Sequence, residues 1–143
     1  MSEALAALEA TALAQHLRVS RWTYPLVNAG HVLGLALLVG AVAPMDLRLL
    51  RGDVSALWLR RFAAGGLALA VATGALLFAA QASEYAASPW FRAKLAALGL
   101  ALLNVALHPR LSRLPDARRR MAAAVSLAAW PSVLLLGRMI AYG

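Results

Sequence analysis

From Tyr24 to Pro44 the chain runs without a single Asp, Glu, Lys or Arg, and that stretch leaves few folds open. A helix crossing a bilayer needs about 20 mainly apolar residues, so this segment is long enough to span. Three further runs follow, at about 62–82, 90–108 and 121–142. Of the 143 residues 62% are hydrophobic, well above the half expected of a soluble domain. Mean hydropathy is +0.71, in the same direction. Inside a bilayer every backbone polar group must be satisfied within the protein, so the runs are read as helices. Joined by short loops, they predict an all-α fold: one membrane domain over 1–143, an integral membrane antiparallel four-helix bundle.

The segment before the first span reads differently. Residues 3–17 carry Glu3 and Glu9 but no Lys or Arg, so the basic start of a signal peptide is missing. Leu5, Leu8, Ala12, Leu13, His16 and Leu17 recur at helical spacing and predict a short amphipathic interfacial helix, with Arg18 and Arg21 at headgroup level.

Net charge is +8, from 14 basic and 6 acidic residues. The basic residues fall between apolar runs, with no polar domain to hold a nucleic acid, so they are read as topology signals. The loops after the first and third spans hold nine arginines: Arg48, Arg51, Arg60, Arg61, Arg110, Arg113, Arg118, Arg119 and Arg120. The opposite side holds Arg18, Arg21, Arg92, Lys94 and Arg138. The bias predicts a bacterial inner-membrane protein with both termini periplasmic and both basic loops cytoplasmic. The absence of cysteine excludes disulfides, thiolate metal sites and cysteine nucleophiles.

Polar residues then sort by depth. Towards the outer face lie Asn28, His31, Glu84, Arg92, Lys94 and Arg138; Trp130 lies on one face of the last span with Arg138. An ionisable side chain within a span is costly and marks a candidate site. A histidine, a guanidinium and an ammonium near one surface suit an anionic or carbonyl-bearing ligand. Lys94 is the chain's one lysine among thirteen arginines, which suits a position needing a compact cation. Towards the inner face lie Asp46, Arg48, Asn104 and His108. The bland alternatives are snorkelling for Arg92, Lys94 and Arg138, a helix–helix hydrogen bond for Asn104, and an interfacial cap for His108. Gly66, Ala70 and Gly74, four apart, give one smooth face for close helix packing.

Haem is the cofactor these histidines first suggest, and depth argues against it. His31 and His108 belong to opposite ends of the bundle, about 20 Å apart by helix rise, so they cannot share one iron. Haem b on His31 then needs His16, Met139 or a second subunit as the other ligand. No Ser/His/Asp set, carboxylate pair or phosphate loop is present. The site predicted here is a pocket near the periplasmic face for a quinone, haem or similar ligand. Its cofactor-binding residues are His31, Asn28, Lys94, Arg138 and Trp130, with His31 a metal ligand only for haem. The alternatives are an accessory subunit of a larger membrane complex and a homo-oligomeric transporter component.

The chain from Trp22-Thr-Tyr-Pro-Leu-Val-Asn-Ala-Gly-His31 through Asp46-Leu-Arg-Leu-Leu50, Ser88-Pro-Trp-Phe-Arg-Ala-Lys94, Asn104, His108, Trp130 and Gly137-Arg-Met-Ile-Ala-Tyr142 resembles a small bacterial family of four-span membrane proteins. This is the domain of unknown function 6644. The resemblance implies a four-helix inner-membrane fold and no agreed activity. Relatives often carry Glu where this chain has Asn28, which removes a carboxylate from beside His31. At fold level the chain also looks like copper-resistance D-type and cytochrome b561-type bundles, a likeness that does not transfer function.

Overall fold

A computed structural model describes residues 2–142, and among them there is no β-strand. The elements are α1 (Ser2–Glu9), α2 (Ala12–Val19), α3 (Thr23–Leu50), α4 (Arg60–Ala80), α5 (Ala82–Ala87), α6 (Pro89–Leu107) and α7 (Asp116–Met139), with short 3₁₀ turns at Ser55–Leu59, Leu111–Arg113 and Ile140–Tyr142. Four of the helices, α3, α4, α6 and α7, are long and apolar enough to cross a membrane.

Local chemistry explains most boundaries. The C-terminus of α3 is a Schellman turn: Gly52 adopts φ +85°, and its N–H and that of Asp53 donate to Leu49 O and Arg48 O at 3.0 and 2.9 Å. Asp53 then accepts from Ser55 N–H at 2.8 Å, which starts the turn leading to α4. The α6 start is set by Ser88-Pro89, with Ser88 Oγ accepting from Phe91 N–H and Pro89 in the first turn. The N-terminal segment departs from the single helix expected over 3–17. It is two helices broken at Ala10-Thr11, because Thr11 caps α2 by accepting from Ala14 N–H while donating to Leu8 O at 2.7 Å. The loop expected after the second span contains α5, and the fourth long helix starts earlier, at Asp116.

Packing runs α4 to α3, α3 to α7, and α7 to α6. The tightest contact is between α3 and α4. A Cβ at Gly34 would lie 2.6 Å from Ala70 N, and one at Gly66 would lie 2.6 Å from Leu38 N. The face of Gly66, Ala70 and Gly74 read from the sequence is this interface. Its absent side chains let the two backbones meet, the usual means of helix association in lipid. A core of Leu38, Ala41, Val42, Ala63, Ala101 and Trp130 draws on all four long helices. The outward surfaces remain apolar: Val32, Leu33, Leu100, Leu107 and Leu135 are all exposed. A bilayer accepts such a surface and water does not.

α4 and α6 do not pack against each other along their length, so a gap remains between them, with α3 and α7 as its back wall. Arg60 bridges it at one end, donating to Pro109 O at 2.7 Å and His108 O at 3.4 Å, and at the other end Phe78 of α4 stacks on Phe91 of α6 with ring centroids 5.4 Å apart. These carbonyls follow the end of α6, where backbone acceptors lack intrahelical partners.

Candidate functional site

At the end of the bundle where α3 begins, His31 lies against α4. Its Nδ1 is 2.8 Å from Ala70 O and 3.3 Å from Thr73 Oγ1. A carbonyl only accepts, so Nδ1 carries the hydrogen, and in the neutral ring Nε2 is left as the acceptor. The ring rests on Gly74, where a Cβ would come within 3.0 Å of His31 Cε1. Thr73 is itself held by donating to Leu69 O at 2.6 Å.

The other residues predicted for that pocket are only partly gathered. Lys94 is half-buried on α6, and its side chain lies across Gly137, with Nζ 3.1 Å from where a Cβ would stand. Arg138 is exposed, donates to Tyr142 Oη at 2.9 Å and stacks over that ring at 5.2 Å. Asn28 is exposed. Trp130 is 3% exposed and belongs to the central core. Trp130 and Arg138 share a helical face, but eight residues of rise put them about 12 Å apart along the axis. His31 and Lys94 are thus both half-buried, while Asn28 and Arg138 are exposed and Trp130 lies in the core.

The opposite end, where α3 finishes, holds the cavity. A space of about 110 Å³ opens at the gap between α4 and α6, lined by Leu38, Val42, Leu67 and Trp130 on its apolar side. Its polar lining is Asp46, Arg60, Asn104, His108 and Ser126. Asp46 is 1% exposed, and its Oδ2 has no hydrogen-bond partner among the described residues. Asp46 does not pair with Arg48, its neighbour in sequence. Arg48 turns away to Ser55 Oγ at 3.1 Å and Asp53 Oδ2 at 3.7 Å. His108 instead lines the same cavity as Asp46.

The remaining polar groups are ordered around that carboxyl. Asn104 Nδ2 donates to Ala122 O at 2.9 Å, the helix–helix bond expected of it. His108 Nδ1 donates to Asn104 O at 2.9 Å, one turn back on its own helix, leaving Nε2 as the acceptor of the neutral ring. Sequence reasoning placed Asp46, Asn104 and His108 at one depth but did not find Arg60, Ser126 and Trp130 as their neighbours. The only available signal was Asp46 itself, an acid following a long uncharged run.

His31 and His108 do not meet across one haem iron. Ten residues of α4 separate Ala70, which holds His31, from Arg60, which meets the His108 carbonyl, so the histidines lie about 15 Å apart along the bundle. His16 is bonded to Thr23 Oγ1 at 3.2 Å. Among the described residues no cluster of three or more His, Cys, Asp or Glu could hold a metal ion. A cavity of 110 Å³ is also too small for a macrocycle, being below the 150 Å³ that holds one benzene. No family model, curated protein or solved structure matches the chain.

Proposed function

We propose that this chain is a multi-pass protein of the bacterial inner membrane that holds a small lipid-soluble ligand among its helices, at the gap between α4 and α6. One observation carries the reading. The gap is walled by apolar side chains, and at its base lies a buried carboxyl with an unpartnered oxygen. Buried polar groups are ordinarily satisfied, so such an exception calls for an explanation, and a bound ligand would supply one. Lipid-side access follows from α4 and α6 standing apart. Extraction of the protein purified in mild detergent, followed by mass spectrometry, is expected to recover one retained small molecule per chain. Ala64→Trp, on the α4 wall, is expected to fill the gap and lose it. A wild-type protein that retains nothing would sink the proposal.

The proposed architecture is an antiparallel four-helix membrane bundle with periplasmic termini. Its support is the facing of His31 with Gly74 and of Gly34 with Gly66, together with the arginine bias of the loops. The resemblance to the four-span family of unknown function points the same way. On this topology the N-terminal hairpin forms a periplasmic latch. Glu9 accepts from Ser83 N–H at 2.7 Å and pairs with Arg18 at 3.2 Å, while Arg18 donates to Ala80 O at the end of α4. The Ser83 hydrogen bond, with help from Arg18, holds the Glu9 carboxyl below its ordinary 4.5. A depressed carboxyl contributes stability above the unfolded value that is lost as pH falls through the folded one. Amide exchange at Ser83 should therefore accelerate below pH 4.5. Glu9→Gln should reproduce this at neutral pH, and trypsin outside right-side-out vesicles should then cut faster after Arg18. Protection from external trypsin in both proteins would place the N-terminus on the other side.

A second reading keeps the outer pocket of Asn28, His31, Lys94 and Arg138 for an anionic or carbonyl group such as a quinone oxygen. It is favoured by His31 and Lys94 being two ionisable groups half-buried within apolar helices.

A further inference from the structure

The cavity at Asp46 has a size, a polarity and an entrance, and together these narrow the chemistry of its occupant. The following rests on the reading of the gap as a ligand site. Its volume of about 110 Å³, smaller than the roughly 150 Å³ of a cavity that binds benzene, admits at most one small ring and excludes a fused system. α4 and α6 both line it without packing along their length, and an entrance between them would face the bilayer, so that an occupant could arrive from lipid and leave an apolar tail there. The unsatisfied polar atoms at its base are acceptors. Asp46 Oδ2 has no partner, and His108 has committed Nδ1–H to Asn104 O, which leaves Nε2 with a lone pair.

Acceptors call for a donor. A protonated amine would supply one with a positive charge, but the setting opposes a cation. The Arg60 guanidinium lies in the same wall, and Arg48, Arg51, Arg61, Arg110, Arg113, Arg118, Arg119 and Arg120 crowd the same end of the molecule. A neutral hydroxyl donor incurs no such repulsion. Trp130, in the apolar wall, offers an aromatic face against which a ring can pack.

We propose that the cavity between α4 and α6 binds the hydroxyl-bearing aromatic head of a lipid-borne quinol, with ring hydroxyls donating to Asp46 and His108 and the tail lying in the bilayer. Selectivity follows from the same geometry. The oxidised quinone carries carbonyl acceptors in place of hydroxyl donors and leaves Asp46 Oδ2 facing another acceptor. The reduced form is therefore the better ligand.

The test uses the full chain in detergent with Trp22, Trp58 and Trp90, all exposed, changed to phenylalanine, so that Trp130 alone reports. A decyl-tailed hydroquinone is expected to quench Trp130 saturably. It should bind at least tenfold more tightly than the matching quinone, decylbenzene or decylamine. Asp46→Leu, which replaces the carboxyl with an apolar side chain suited to the core, should erase the preference over decylbenzene; Asp46→Asn, which keeps an acceptor oxygen, should retain part of it. Equal binding of hydroquinone and decylbenzene would overturn the quinol assignment while leaving the gap a ligand site. Tighter binding of decylamine or of the quinone would also overturn it. Saturable quenching by none of the four would remove both this inference and the reading on which it rests.

Discussion

Gly66→Ala is expected to destabilise the protein by about 3 kcal/mol or more, at the top of the usual range for overpacking. The added Cβ would meet Leu38 N at 2.6 Å and Gly34 O at 2.7 Å, both backbone atoms of the facing helix. A flexible side chain could swing away from such a contact. A backbone cannot, so relief requires α3 and α4 to separate along the interface that also seats His31. The neighbouring Gly65 provides the control, because a Cβ there meets nothing within 4 Å. Gly65→Ala should be neutral or stabilising by up to about 1 kcal/mol, the helix-propensity gain of alanine over glycine. Unfolding in mixed micelles under increasing denaturing detergent measures both. Equal behaviour of the two variants would mean that α3 and α4 do not meet as described.

The glycine face shows which kind of structural information the sequence carries. Gly66, Ala70 and Gly74 are four apart on one helix, so their shared face follows from helix geometry alone. That α3 presents Gly34 and His31 to them depends on which helices pack, and no local pattern encodes it. The cap at Ser88-Pro89 was legible for the same local reason. The break at Thr11 was missed because apolar periodicity continues across it, while one side-chain hydrogen bond ends the helix.

Depth and rotation separate in the same way at the candidate sites. Counting residues from a span's start gives depth, and it put His31 and His108 at opposite ends, as the structure does. Rotation about the helix axis is set by packing. Asn28 and Arg138 have the depth of an outer pocket but are exposed, and Arg48 is near Asp46 in sequence yet faces Asp53. The cavity at Asp46 draws its polar lining from α3, α4, α6 and α7 together. Such a convergence is invisible to any window along the chain.

Trp130→Ala is expected to cost about 3 kcal/mol, the low end of the range for removing a large aromatic side chain from a core. Trp130 is 3% exposed and packs in the cluster of Leu38, Ala41, Val42, Ala63 and Ala101. In a soluble protein, deletion forfeits both transfer from water and the contacts around the void. In a bilayer the chain's alternative surroundings are lipid, so mainly the packing part is lost, which favours the lower figure. Because the indole also lines the cavity at Asp46, its removal should enlarge a space of 110 Å³ and relax its preference for a single ring. Stability and ligand size should therefore change together. A variant that unfolds like the wild type and merely loses its ligand would show that Trp130 serves the site without supporting the core. One that is destabilised yet retains the same size preference would place the indole in the core and outside the wall of the cavity.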